Sequence, residues 1–180
     1  MPDICYLPGY VGGSWYTSQG SGANTLCLAD NPEYGPVVTG AQTYVGWIHG
    51  TEYEFWNGYA PNNQPFSLAN NNGAGLGNNN VPCVVCFRDN KTDVLMIPGK
   101  MNCPLDSMSL EYTGYLVTTY EVSPHWRTEF ICLDNTPEVV PGMSANQDGH
   151  LLYPVLTSCL SLTCPPYIHG REATCAVCTI

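Results

Sequence analysis

Basic residues are scarce in this chain: five Lys and Arg stand against fifteen Asp and Glu, a formal net charge of -10. That balance argues against nucleic acid as a partner, because phosphate binding depends on clustered cations, and equally against an anionic membrane surface. No apolar run approaches the roughly 18 residues that suggest a membrane span. Long helices are missing from the pattern as well. No window sustains an apolar 3.6-residue period, and the 18 Gly and 15 Pro recur too often to leave room for one. The opening "MPDICYLPGY" lacks the basic and apolar segments of a signal peptide, so Met1 is read as an added start or as the edge of a larger chain. Charge of either sign is sparse, 11% of the residues against roughly 25% in an average domain. The surface must therefore be polar through Asn, Ser, Thr, Gln and the 12 Tyr.

Cysteine is abundant, ten residues in 180 and an even number. Together with the low charge, this composition suits a secreted protein of the extracellular matrix better than a cytosolic enzyme, and the address rests on cysteine usage alone. Strand signals dominate the rest: "TYVGWIHG" from Thr43, "TEYEFW" from Thr51, "TDVLMIPG" from Thr92 and "LEYTGYLVTTYEV" from Leu110. All are aromatic or β-branched and bounded by Gly, Pro or Asn. In "TEYEFW" alternation sets Tyr53 and Phe55 on one face and Glu52, Glu54 and Trp56 on the other, as in a half-buried strand. The stretch "SLANNNGAGLGNNN", Ser67 to Asn80, is too polar to bury a face and reads as a surface loop. Asn90 opens the one glycosylation triplet, Asn90-Lys91-Thr92, in a turn between two strands.

The cysteines recur in order. Cys5, Gly9-Tyr10, "LCLADNPE" at Leu26 to Glu33 and "CVVC" at Cys83 to Cys86 are followed by a second series. That series is Cys103, Gly114-Tyr115, "ICLDNTPE" at Ile131 to Glu138 and "CAVC" at Cys175 to Cys178. Successive landmarks lie 98 (Cys5 to Cys103), 105 (Gly9 to Gly114), 105 (Cys27 to Cys132) and 92 (Cys83 to Cys175) residues apart. Cys159 and Cys164 belong to the second half only. The expected fold is mainly β and disulfide-rich, with long loops and little helix, internally duplicated into pseudo-equivalent halves, 1–90 and 91–180, that together make one globular domain. Two Cys-x-x-Cys pairs also have the ligands of a zinc site, but that leaves six cysteines unexplained. Thioredoxin-like redox chemistry needs a cysteine at a helix N-terminus, and the surroundings of Cys83 and Cys175 read as strands or turns.

Longer phrases add to this frame. "GSGANTLCLADNPEYG", "GTEYEF", "VPCVVC", "LMIPGKMNCP", "EYTGYLVTTY", "FICLDNTPEVVPG", "NQDGHLLYPV", "CPPYIHGRE" and "CAVCTI" resemble the non-collagenous domain of the spongin short-chain collagens over nearly the whole chain. The stretch from Val81 to Val117 is more distantly similar to the junction between the halves of the type IV collagen C-terminal domain, a duplicated β-structure that forms trimers and hexamers. Carried over by position, that resemblance implies disulfides Cys5–Cys86, Cys27–Cys83, Cys103–Cys178, Cys132–Cys175 and Cys159–Cys164. It also implies a role in assembly with collagen or other matrix proteins, or with further copies of the chain as a trimer or hexamer. Two departures stand out: the first half has no counterpart of the Cys159–Cys164 loop, and no Gly-x-y repeat occurs. Met96, Met101, Met108 and Met143 read as core filling.

Catalytic patterns are lacking. His49, His125, His150 and His169 are scattered without metal-ligand spacing, and Ser107, Ser109 and Ser123 lie in no G-x-S-x-G elbow. The expectation is a non-enzymatic structural protein with no cofactor and no resident metal. The best local candidate for an ion is "NQDGH", where Asn146 and Asp148 offer hard oxygens to calcium. Trp15, Trp47, Trp56, Tyr59 and Trp126, interleaved with Asn, Gln and Gly, are candidate contacts for a sugar, which makes a lectin-like carbohydrate-binding module the alternative reading. A matrix protein of a mineralised skeleton is a variant of the first reading, since fifteen carboxylates can meet calcium at a mineral face.

Overall fold

The structure, a computed structural model, describes residues 4–20, 22–36, 40, 45–55, 66 and 75–180. Its elements are β1 (Ile4–Gly13), β2 (Leu26–Ala29), β3 (His49–Tyr53), β4 (Pro82–Phe87), β5 (Val94–Pro98), β6 (Ser109–Thr118), β7 (Ile131–Asp134), β8 (His150–Pro154) and β9 (Thr174–Thr179). No helix occurs among the described residues. The strands form one hydrogen-bonded system in the order β2-β1-β3-β8-β6-β9-β5, with β4 also on β1 and β7 also on β6. All pairs are antiparallel except β3 with β8, which runs parallel and sets Thr51 beside His150 and Tyr53 beside Leu152.

One pairing pattern occurs twice. Strand β1 lies between β2 and β4, with Gly9 facing Ala29 and Cys83, while β6 lies between β7 and β9, with Gly114 facing Asp134 and Cys175. Adding 105 to the β1 and β2 positions and 92 to the β4 positions converts every pair of the first set into a pair of the second. The register shift between Cys5 and Leu7 on β1 falls at the same place as that between Leu110 and Tyr112 on β6. Two features break the match. Strand β5 pairs with β9, and no described strand does the same for β4. Cys5 sits in the ladder opposite Cys86, whereas its register equivalent is Leu110; Cys103 lies ahead of β6 and reaches Cys178 from outside the ladder. The 98-residue spacing of these two cysteines, against 105 for the strand itself, is that displacement.

The five disulfides are Cys5–Cys86, Cys27–Cys83, Cys103–Cys178, Cys132–Cys175 and Cys159–Cys164, and no cysteine is free. They are the pairs that the family resemblance implies. In the chain-entropy account each long bridge stabilises the fold by roughly 3 to 5 kcal/mol through the unfolded state, which suits a structure with so many irregular connections.

Apolar residues from both ends of the chain meet in one cluster. Val11, Tyr53, Phe55, Phe66, Leu76 and Val81 are buried with Val117 and Leu152, and Tyr115, Ile131, Leu133 and Val139 pack against them. Phe66 stacks on Phe55 at 4.9 Å and meets the ring of Tyr115 edge-on at 5.3 Å. Tyr53 donates a 2.7 Å hydrogen bond to the Glu138 carbonyl oxygen. Burial raises its hydroxyl pKa, as do the negative charges of Glu138 and Asp134.

Three sequence expectations change. The strand containing Glu52 is not half-buried: Glu52 and Glu54 are 3% and 7% exposed, as enclosed as the Tyr53 and Phe55 side. The methionines are not core filling, since Met96, Met101 and Met143 are exposed and Met108 is half-buried. The Asn/Gly stretch does not remain at the surface throughout. Its Leu76 is fully buried, and the Asn79 side-chain amide donates to the carbonyls of Gly75, Leu76 and Gly77, forming an ordered turn.

Candidate functional site

The inward turn of Glu52 and Glu54 follows from the β3–β8 contact. Two-residue alternation points Tyr53 and Phe55 to the core, so Glu52 and Glu54 share the other side. Opposite them runs the segment entering β8, where Gly149 comes so close that a methyl group there would overlap the Gly50 carbonyl oxygen. Just before it, Asn146 and Asp148 adopt positive φ of 49° and 52°, a conformation that Asn and Asp tolerate better than most residues. The Gln147 backbone N–H donates to Glu52 Oε1 at 2.8 Å. Glu52, Glu54 and Asp148 thereby each place a carboxylate oxygen within 4.8 Å of the other two. Glu52 Oε2 is buried and has no hydrogen-bond partner.

Aromatic rings adjoin this trio. His125 stands 5.0 Å from Tyr16, 5.5 Å from Tyr120 and 5.6 Å from Tyr153, and Tyr120 lies 5.4 Å from Tyr153. Burial raises the Tyr153 hydroxyl pKa, followed by the charges of Glu54 and Asp148 and the neighbouring Tyr16 and Tyr120. Burial lowers the pKa of His125, and the nearby Asp148 only partly offsets it. On the other side of β8, His150 is fully buried, with Nδ1 at 2.9 Å from Thr51 Oγ1 and Nε2 unpartnered. Burial takes its pKa down to about 4, so the ring is neutral at physiological pH. A methyl group at Gly13 would strike that ring, which explains the bare backbone at the end of β1.

The sequence candidates are placed as follows. Asp148 belongs to the trio, whereas Asn146 does not. Trp15 is half-buried, with its ring 5.3 Å from Tyr16 and 5.1 Å from His49. Trp126 joins this region through its backbone N–H, which donates to the Tyr16 carbonyl at 3.1 Å, and its side chain is exposed. Trp47 is 77% exposed. Trp56 and Tyr59 lie outside the described residues. Asn90 is exposed, in a turn with φ of 59° between β4 and β5. The four histidines do not converge: His169 sits near the Cys159 backbone N–H at 3.4 Å, away from the others. Glu52 and Glu54 were legible as a strand face but not as part of a site. The available signal was two alternating carboxylates, opposite two aromatics, in a chain that spends few residues on charge.

A second feature is an open groove of about 660 Å³ beside β9, lined by Gly99, Lys100, Thr157, Tyr167, Ile168 and Arg171 among others. It holds two of the chain's five basic residues.

Comparison with known proteins finds no matching family model, no matching curated protein and no matching solved structure. Five disulfides are the mark of an extracellular or secreted protein. Among the described residues no helix is long and apolar enough to cross a membrane.

Proposed function

We propose that this chain is a non-enzymatic assembly module of the extracellular matrix, built as two duplicated halves and related to the non-collagenous domain of the spongin-type short-chain collagens. The phrases quoted above and the cysteine frame support the relationship, and the twice-occurring strand register supports duplication. The observation that carries the assembly role is an asymmetry between the halves. In the second half Tyr115, Ile131 and Val139 pack against the shared core. Their equivalents 105 residues earlier, Tyr10, Leu26 and Tyr34, are 38%, 48% and 88% exposed. The first half thus presents uncovered a face that this chain's own residues cover in the second. A further copy of the chain is the partner that fits it, since Tyr53, Phe55 and Leu76 already cover such a face.

Native mass in solution tests this reading, measured by light scattering at physiological salt over a range of concentrations. A trimer, a hexamer or another closed assembly is the expected result. A monomer at every concentration that is also not retained by collagen or matrix proteins overturns it. The carbohydrate-binding alternative keeps one observation in its favour, the exposed rings of Trp47 and Trp126 on a weakly charged surface. Binding to a glycan array that Trp47→Ala and Trp126→Ala abolish would favour it over assembly.

A further inference from the structure

We infer that Glu52, Glu54 and Asp148 form a binding site for a divalent cation of the calcium type. Three carboxylates gathered within 4.8 Å, two of them almost fully buried, are unfavourable by themselves, because each has lost hydration and all repel one another. The ordinary compensation is a basic side chain, and this chain has only five. Arg88 pairs with Glu111, Lys91 donates to Ser109, Lys100 lines the groove beside β9, and Arg127 and Arg171 lie 4.0 Å from Glu121 and Glu172. All five are thus placed elsewhere.

An independent observation points to a ligand. Glu52 is anchored through Oε1 by the Gln147 backbone N–H, while its Oε2 is enclosed without any hydrogen-bond partner. A buried carboxylate oxygen with no donor is costly, and a metal ion among the three carboxylates would satisfy it. The donors are all carboxylate oxygens, with no His or Cys among them, which selects a hard cation over zinc or copper. Calcium takes about 6 to 8 oxygens at roughly 2.3–2.6 Å, so oxygens up to about 5 Å apart fit around one ion. Three carboxylates, some bidentate, would supply a large share of that shell, and backbone carbonyls and water the rest. Asp148 comes from the loop that the sequence pointed to; its companions are Glu52 of β3 and Glu54 just beyond that strand, not Asn146. The cation site stands whether or not the chain is an assembly module.

The test uses the full disulfide-bonded chain, stripped with chelator and titrated with calcium chloride by calorimetry, with thermal unfolding followed in calcium and in chelator. One calcium per chain is expected, with a melting temperature higher in calcium. Glu52→Gln and Asp148→Asn should each weaken binding by about tenfold or more and remove the calcium-dependent rise. In chelator both variants should be at least as stable as the parent, because each relieves repulsion among the carboxylates. If Glu52→Gln does not fold, Asp148→Asn, in the more exposed loop, still decides the matter. Absence of saturable binding up to about 10 mM calcium, beyond the range of weak extracellular sites, overturns the site. Binding that neither variant changes overturns it as well.

Discussion

Gly9 and Gly114 occupy the same position in two separate three-strand ladders: each faces a residue of a short strand on one side and the first cysteine of a Cys-x-x-Cys pair on the other. A methyl group at Gly9 would overlap the Leu28 carbonyl oxygen, and one at Gly114 the Leu133 carbonyl oxygen. Neither backbone can retreat freely, because Cys27–Cys83 and Cys132–Cys175 tie the flanking strands across each glycine's own strand.

Gly114→Ala is therefore expected to cost about 3 kcal/mol, at the upper end for overpacking, since the obstacle is main chain. Gly9→Ala should cost a similar amount if the halves are built alike. Denaturant unfolding of both variants measures this. A cost below about 1 kcal/mol at either position would show that the ladder yields more readily than its geometry implies.

The bridges should differ in both accessibility and worth. Cys164 is exposed and Cys159 half-buried, and the bridge between them spans 5 residues. Cys175 and Cys178 are completely buried, and their bridges span 43 and 75 residues. Under native conditions a mild reductant should open Cys159–Cys164 before Cys132–Cys175, as read by alkylation and mass mapping. By loop-closure entropy, replacing Cys159 and Cys164 with Ser should cost about 2 kcal/mol, against about 4 for Cys103 and Cys178.

Glu111 gives a defined pH response. Burial pushes its pKa up, but hydrogen bonds from Arg88 and Thr179 and the positive charges of Arg88 and Lys91 outweigh that, so the net shift is downward from 4.5. A carboxyl held below its unfolded value contributes stability above that value and loses it as pH falls through the folded one. Stability should therefore drop as pH is lowered from about 4.5, and Glu111→Gln should flatten that part of the profile. At neutral pH the variant should be weaker by about 1 kcal/mol, since the Arg88 side chain is partly exposed. An unchanged acid limb would remove Glu111 from the account.

How much of this was readable beforehand depends on the kind of signal. The cysteine order and the Gly-Tyr and Pro-Glu landmarks are local in sequence, and they mark the ladders of β1 with β2 and β4 and of β6 with β7 and β9. Strand β1 itself has no clean alternation, because Pro8 and three glycines interrupt it; only its register with Cys27 and Cys83 reveals it. Strands β5 and β6 were visible from their β-branched and aromatic content. The burial of Glu52 and Glu54 was hidden, since alternation tells which side chains share a face but not that the loop entering a strand about 95 residues later encloses that face. The same holds for the methionines. Their apolar character suggested the interior, while the segments that carry Met101 and Met143 are surface turns.

The uncovered face of the first half supplies the last prediction. If Leu26 and Tyr34 lie between copies of the chain, Leu26→Glu and Tyr34→Ser should dissociate the assembly while leaving each chain folded, because both side chains are already exposed and surface changes usually move stability by about 0.5 kcal/mol or less. At their second-half equivalents the outcome should reverse: Ile131→Glu places a charge against the apolar core and should unfold the chain. Sedimentation velocity of the three variants, with near-ultraviolet circular dichroism to establish folding, separates these cases. A folded Leu26→Glu chain that keeps the parent's assembly state would mean that the contact between copies lies elsewhere on the molecule, and the asymmetry between the halves would need another cause.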